Sequence, residues 1–256
     1  MIPKSAFFLW VGDKELPWLR QIAVETFKKH NPGWEVNLIR VPNKVDLLAA
    51  QSTDLFRYSL LARSGGLYLD TDIVFFRPVP DEILDCDVAI TIDKSPFRYS
   101  NALRNQKPEV EFMPGFTNLA FLGASPDNKF FEFVYREALS RFEALFKDNV
   151  DISNMIYQVF GTELLNRLFY AKTQQDIEEQ FGCKINNVPL NTVLPVRWYE
   201  SHKLYDGTEF DPAPETIGVH WYGGCLDSQM YVSKITKETL DSRPCYLTSA
   251  IKRALS

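Results

Sequence analysis

The stretch SGGLYLDTDIVFFRP, Ser64 to Pro78, sets two carboxylates, Asp70 and Asp72, between apolar runs with the composition of buried strands. A carboxylate in such surroundings is costly unless a partner compensates it, so the fold must bring something to both. In an extended segment the side-chain period is two, which turns Asp70 and Asp72 to the same side. One could then bind a divalent cation directly, and the other bind it through water or hold a nearby hydroxyl. Hard cations take oxygen ligands, and a catalytic Mg2+ or Mn2+ is commonly held by one or two carboxylates plus substrate phosphates. The competing reading is a turn closed by an Asx hydrogen bond. Spacing alone does not choose between them, because Asp85 and Asp87 in ILDCDV share it and read as a surface turn. The flanks differ: apolar residues on both sides of Asp70 and Asp72, with a polar helix and Gly65-Gly66 before them.

The rest of the chain alternates strand-like and helix-like patterns. Ala6–Val11 reads as a strand. Pro17–His30 reads as a helix, with Pro17 suited to a first turn and Lys28, Lys29 and His30 placed where positive charge favours a C-terminus. Asn31-Pro32-Gly33 stops it, and Trp34–Ile39 alternates as a strand. A second helix is expected over Asp54–Ser64, with Ser52, Thr53 or Asp54 as N-cap and Gly65 as the stop. Leu67–Leu69, Ile73–Phe76, Val88–Ile92 and Leu119–Leu122 read as strands, Lys129–Phe146 and Ser153–Phe169 as helices. Ile185–Val188 and Ile217–Tyr222 read as short late strands before a terminal helix, and Asp93–Gly115 as a long loop. Such alternation predicts an α/β fold with a mainly parallel sheet and a helical C-terminal part.

Asp54 and Arg57 stand at i and i+3, on one helix face. They fit a capping Asp with a surface ion pair of little worth. They also fit a device for sugar hydroxyls, since a carboxylate accepts from two of them and a guanidinium offers forked donors. Asn118, at the start of a strand, reads as a turn-closing residue or as one that reaches a ligand. The Asp93–Gly115 segment, with Lys94, Arg98, Tyr99, Arg104 and Lys107, reads equally as a solvated loop or an acceptor-facing one.

A formal charge of −5 disfavours a non-specific nucleic-acid or membrane-surface binder. No apolar run reaches membrane-span length, and the opening residues lack a small-residue cleavage site. Cys86, Cys183, Cys225 and Cys245 show no CxxC spacing, so they read as free thiols in a reducing, cytoplasmic setting.

The block STDLFRYSLLARSGGLYLDTDIVFFRPV, Ser52 to Val79, resembles the metal-binding block of family 32-type glycosyltransferases, the DXD-containing sugar transferases, and is similar to clostridial glucosylating toxins. IPKSAFFLWVGDKELP resembles that family's opening, KKHNPGWEV the segment that follows, GFTNLAFLGASPDNKFF its middle motif, and IGVHWYGG its late His-x-Trp motif. The chain departs from the pattern at Phe8, at Gly161-Thr162 and at Gly223-Gly224. The resemblance implies a GT-A (Rossmann-like) fold in one domain over 1–256. Residues 1–92 would be its nucleotide-sugar-binding half and 93–256 its acceptor-side half with the closing motif. It implies a nucleotide-sugar donor, a UDP- or GDP-sugar, with Mn2+ or Mg2+, and retention at the anomeric carbon. Asp72 would ligate the metal and Asp70 would contact the ribose or a metal-bound water. Asp54 and Arg57 would hold the donor sugar, with Asn118 in reach of it. Tyr68 would sit against the diphosphate and Trp10 near the base. His220 or Trp221 would close the site, with His220 a candidate third metal ligand. The acceptor is left open among glycan, lipid-linked sugar, protein and modified nucleic-acid base.

Two other readings stand beside this one. LYLDTDIVFF also fits the Asp-x-Asp pattern of haloacid-dehalogenase-like phosphohydrolases, with Asp70 as nucleophile, although a helix and strands precede it here. A non-catalytic sugar-nucleotide or glycan-binding module could keep the same fold.

Overall fold

The computed structural model describes residues 1–41, 49–93, 97–100, 110–113, 116–147 and 159–256. Strand β1 (Ser5–Val11) leads to helix α1 (Trp18–His30), β2 (Glu35–Val41) and helix α2 (Ala49–Ser64). Then come β3 (Gly66–Leu69), β4 (Ile73–Phe75), the single-turn α3 (Asp81–Leu84), β5 (Val88–Asp93) and the hairpin β6 (Phe97–Ser100) and β7 (Val110–Met113). Strand β8 (Phe116–Ala124) precedes α4 (Lys129–Lys147), α5 (Thr162–Ala171) and α6 (Gln174–Phe181). The chain closes with β9 (Ile185–Asn187), 3-10 turns at Leu190–Thr192 and Trp198–Leu204, β10 (Gly218–His220), α7 (Leu226–Val232) and α8 (Tyr246–Leu255).

Six strands form the central sheet in the order β2-β1-β3-β8-β5-β9. β8 runs against β3 and β5, and the other pairings are parallel. This is the mixed α/β architecture that the alternation predicts, and it agrees with the GT-A fold that the resemblance implies. Both faces of the sheet are covered, so its strands read as nearly unbroken apolar runs. Alternate residues feed two cores. Ala6, Phe8, Leu67, Leu69 and Phe121 pack with Phe27 of α1 and Ile251 of α8. Leu9, Tyr68 and Leu122 pack on the other side with Leu61 of α2, Phe130 and Phe131 of α4 and Leu165 of α5. The four cysteines are free thiols, and no helix among the described residues is long and apolar enough to cross a membrane.

Three features position the site. First, Gly65 and Gly66 both adopt positive φ, +65° and +94°, which ends α2 and starts β3 within two residues. Second, the β5–β8 register slips between Ala89 opposite Gly123 and Thr91 opposite Asn118. The bulge takes backbone carbonyls of β8 out of the β5 ladder. Third, β4 and β10 form a separate antiparallel pair in which Ile73 stands opposite His220. Helix α1 braces this pair: the Phe75 amide donates to Thr26 Oγ1 (3.2 Å), and the Phe27 and Phe75 rings meet edge to face at 5.0 Å.

Several sequence expectations change. Helix α2 begins at Ala49, so Ser52, Thr53 and Asp54 lie inside it rather than capping it. The Asp93–Gly115 stretch contains the β6–β7 hairpin and is not simply a loop; the side chains named there lie outside the described residues. The helix expected from Ser153 begins at Thr162, and 151–158 lie outside the described residues.

Candidate active site

Asp70 follows the last residue of β3, and its amide continues the ladder by donating to the Ala120 carbonyl at 2.9 Å. The chain then turns at Thr71 and Asp72 before entering β4. The two aspartates therefore converge through a turn and not through the strand period, a correction to the extended reading. His220 arrives from β10, 148 residues later. Its Nε2 lies 3.0 Å from Asp72 Oδ1 and 3.9 Å from Asp70 Oδ2. Asp70, Asp72 and His220 each present one ligand atom, all within 4.8 Å of one another. Two carboxylate oxygens and an imidazole suit a divalent cation such as Mn2+ or Mg2+, with His favouring the softer of the two. The donor set therefore fits the implied metal.

Burial by itself would raise the Asp72 carboxyl, but His220, Arg20 and the Gly223 amide outweigh it and hold the group well below the usual carboxylate range. Gly223 N–H donates to Asp72 Oδ2 at 2.7 Å, and the Trp221 amide donates to the Asp72 carbonyl at 2.9 Å. For His220, burial pulls the pKa down, while the charge and hydrogen bond of Asp72, with Asp70 behind, raise it overall. His220 Nδ1 has no hydrogen-bond partner among the described residues.

Behind Asp70 lies a buried charge relay from α2. Arg57 Nη2 pairs with Asp54 Oδ1 at 3.1 Å, and both side chains are only 6% exposed. Its Nη1 donates to the Leu119 carbonyl at 2.8 Å, one of the groups freed near the β8 bulge, and lies 3.8 Å from Asp70 Oδ1. The guanidinium stacks over the Tyr68 ring at 4.4 Å, and the Tyr68 hydroxyl donates to Asp70 Oδ1. Burial pushes the Asp54 carboxyl up to about 7, against the pull of Arg57 and with help from the charge of Asp70. The surface ion pair is thus overturned: Gly161, just before α5, abuts Asp54, Arg57 reaches into β8 at Leu119, and the pair is internal. Gly161 lets Asp54 fit, since a Cβ there would lie 2.6 Å from Asp54 Oδ2.

Tyr68, 1% exposed, stands behind Asp70. Asn118 is buried at the bulge, where Oδ1 accepts from the Ala120 amide at 2.9 Å. Trp10 closes β1, and its Nε1 donates to the Lys14 carbonyl at 2.8 Å. Trp221 is 2% exposed. Arg20, on the first turn of α1, lies between these tryptophans, with its guanidinium 5.4 Å from the Trp10 ring and 5.1 Å from that of Trp221. Sequence reasoning missed Arg20 and the Gly223 amide. A lone Arg on an amphipathic helix has no motif to announce it, and an amide donor leaves no side-chain signature. Asp70 and Trp10 sit at the C-terminal ends of their strands, where open α/β sheets bind ligands. At the opposite ends, a cleft beside Lys4 and Lys184 has these cations paired with Asp81 and Asp85.

Residues 3–89 match the family model described as "Glycosyltransferase sugar-binding region containing DXD motif". No curated protein sequence matches the chain. Among solved structures, the glycosyltransferase GlyE of Streptococcus pneumoniae TIGR4 aligns at 11% identity and a TM-score of 0.51, over 100% of this chain and 61% of that one. The PaToxG glycosyltransferase aligns at 14% identity and 0.42, over 70% and 74% of the two chains. The galactosyltransferase LgtC, in complex with donor and acceptor sugar analogs, aligns at 12% and 0.44, over 92% and 98%. At 11% identity the likeness to GlyE concerns the fold alone. The matched segment, about a third of the chain, contains the Asp70-Thr71-Asp72 sequence.

Proposed function

We propose that this glycosyltransferase moves a sugar from a UDP- or GDP-sugar to an acceptor hydroxyl, with a divalent cation and with retention at the anomeric carbon. The observation that carries the reading is the convergence of Asp70, Asp72 and His220 within 4.8 Å. It lies in the segment that matches the sugar-binding region. Retention rests on the family resemblance alone.

In this reading Asp72 and His220 ligate the cation, and Asp70 binds it or its water while touching the ribose. When bound, the cation supplies Lewis-acid stabilisation of the charge that builds on the departing diphosphate. The other roles belong to side chains. Asp54 accepts from donor-sugar hydroxyls and Arg57 donates to the sugar, held in place by Tyr68 and the Leu119 carbonyl; Asn118 borders the same space. Trp10 packs against the base and Trp221 closes over the diphosphate. The bond from the anomeric carbon to the β-phosphate oxygen breaks with its electron pair going to that oxygen. The acceptor oxygen bonds to the carbon, and its proton ends on the released diphosphate. Residues 1–92 serve the donor and 93–256 the acceptor and the closing segment.

The test is thermal shift against UDP- and GDP-sugars with and without Mn2+, since a ligand of the folded state raises apparent stability, followed by donor turnover. Asp72→Ala is expected to keep its fold and lose turnover by about 10²–10³ or more, the scale of removing one electrostatic stabiliser. Full activity in that variant, or no sugar nucleotide recognised by the wild type with Mn2+, refutes the reading. Phosphatase substrates run alongside separate it from a dehalogenase-like reaction. A site that binds donor yet shows neither hydrolysis nor transfer marks a non-catalytic module.

A further inference from the structure

Arg20 is a cation held beside the Asp70, Asp72 and His220 cluster. Its Nη1 donates to Thr71 Oγ1 at 2.7 Å, the hydroxyl between the two aspartates. Two indole faces flank it. A Cβ on Gly223 would come within 2.5 Å of Nη2, so the guanidinium lies flush against the residue whose amide holds Asp72. Its charge helps keep Asp72 ionised. Among the described residues it forms no ion pair with any carboxylate, and its only hydrogen bond from the side chain goes to Thr71. A guanidinium has five donors, so most of this one's capacity is uncommitted. The fold holds it on two aromatic faces, which fixes its position without neutralising it.

We propose that Arg20 binds the donor's diphosphate, supplying forked donors and a second positive charge to the leaving group. This rests on the nucleotide-sugar reading above. Guanidinium geometry matches phosphate oxygens in pairs. The contribution of Arg20 is charge and hydrogen bonding alone. Glycine at 223 leaves the space that the guanidinium fills. The arrangement assigns to the first turn of α1 a substrate contact that the DXD block does not contain.

The assignment has a signature that packing would not give. Arg20 repels a cation at Asp72 and attracts a diphosphate, so its removal should shift the two affinities in opposite directions. The experiment titrates Mn2+ alone, then UDP and GDP at saturating Mn2+, into the wild type, Arg20→Gln and Arg20→Lys by calorimetry. In Arg20→Gln, Mn2+ affinity is expected to hold or rise, while nucleoside diphosphate affinity falls about 10- to 100-fold, the scale of a hydrogen bond to a charged group. Arg20→Lys should recover part of that loss as a point charge. Nucleoside diphosphate affinity within twofold of the wild type in Arg20→Gln overturns the assignment. So does a parallel loss of both affinities with a lowered melting point, which would make Arg20 a packing residue. A wild type that binds Mn2+ but neither nucleoside diphosphate refutes the donor reading instead. Inorganic pyrophosphate with Mn2+ then tests Arg20 alone: binding lost in Arg20→Gln supports it, and equal or absent binding in the wild type and variant overturns it.

Discussion

Asp54→Asn should make the protein more stable and useless to its donor, and the pH at which the gain is measured is the test. Asp54 is 4% exposed, and burial raises its carboxyl from 3.8 to about 7 even with Arg57 beside it. The folded state therefore holds this proton more tightly than the unfolded chain does. The resulting stabilisation is complete below about pH 3.8, is lost as pH rises toward about 7, and is absent above it. The gap, 7 − 3.8, is about three units. At about 1.4 kcal/mol per unit it sets an upper limit of about 4 kcal/mol, and relaxation and water entry around buried charges bring the expected value nearer about 2 kcal/mol. Asparagine keeps an oxygen for Arg57 and cannot ionise, and Arg57 retains Asp70 and the Leu119 carbonyl. Urea unfolding of both proteins from pH 4.5 to 8.5 cancels every other titrating group. The stability of the variant minus that of the wild type should grow with pH up to about 7 and then level off. At pH 8 the melting point should rise by about 4–8 °C, at about 2–4 °C per kcal/mol for a chain of this size. A difference that is flat or shrinks with pH would refute the account of Asp54 as a carboxylate kept at a cost. Donor affinity unchanged in the variant would refute its role with the sugar.

The remaining predictions separate scaffold from site. Gly161→Ala puts a methyl 2.6 Å from Asp54 Oδ2 and 2.8 Å from Leu119 Cδ1; overpacking of this kind costs about 1–3 kcal/mol. Donor KM should rise with Mn2+ affinity unchanged, as read by steady-state kinetics and calorimetry. Asn31→Ala strips the acceptor of the Val79 amide (2.8 Å) and one of two donors to the Phe27 carbonyl (2.9 Å), which keeps the backbone amide of residue 31 at 3.0 Å. Denaturant titration should show a loss of about 1–3 kcal/mol, with kinetic constants unaltered at low temperature. Ser228→Ala removes a buried hydroxyl that bonds the Trp221 carbonyl and receives the Tyr205 hydroxyl. Indole fluorescence quenching by acrylamide should report a loosened Trp221, and nucleoside diphosphate should leave faster in stopped-flow.

Much of the fold is legible because both sheet faces are buried, so strands announce themselves as apolar runs and the glycines at 65 and 66 mark a forced reversal. The antiparallel course of β8 is not legible, since a strand buried on both faces carries no sign of its direction. The β6–β7 hairpin lies in a polar stretch without a compact turn signal. At the site, Asp70 and Asp72 stand out by their apolar flanks. The internal character of Asp54 does not, because it depends on β8 at Leu119 and on Gly161, both distant in sequence, closing against α2. By its own residues His220 reads as one more position on a short strand, and only the family resemblance marks it as a candidate ligand before β10 is paired with β4. Arg20 needs three separate segments, α1, the Asp70–Asp72 turn and the late tryptophan, to be in place before its position has any meaning.

The little β4–β10 ladder has a consequence for how such a protein can change. It clamps Ile73 to His220 and Phe75 to Gly218, and Arg77 straps the approach by donating to the carbonyls of Ala213, Pro214 and Thr216. The stretch from 78 to 212 thereby leaves and returns through one neck, with β5, β8 and β9 anchored in the central sheet. Connections between those strands can lengthen, shorten or be exchanged while the meeting of Asp70, Asp72 and His220 at the knot is inherited unaltered.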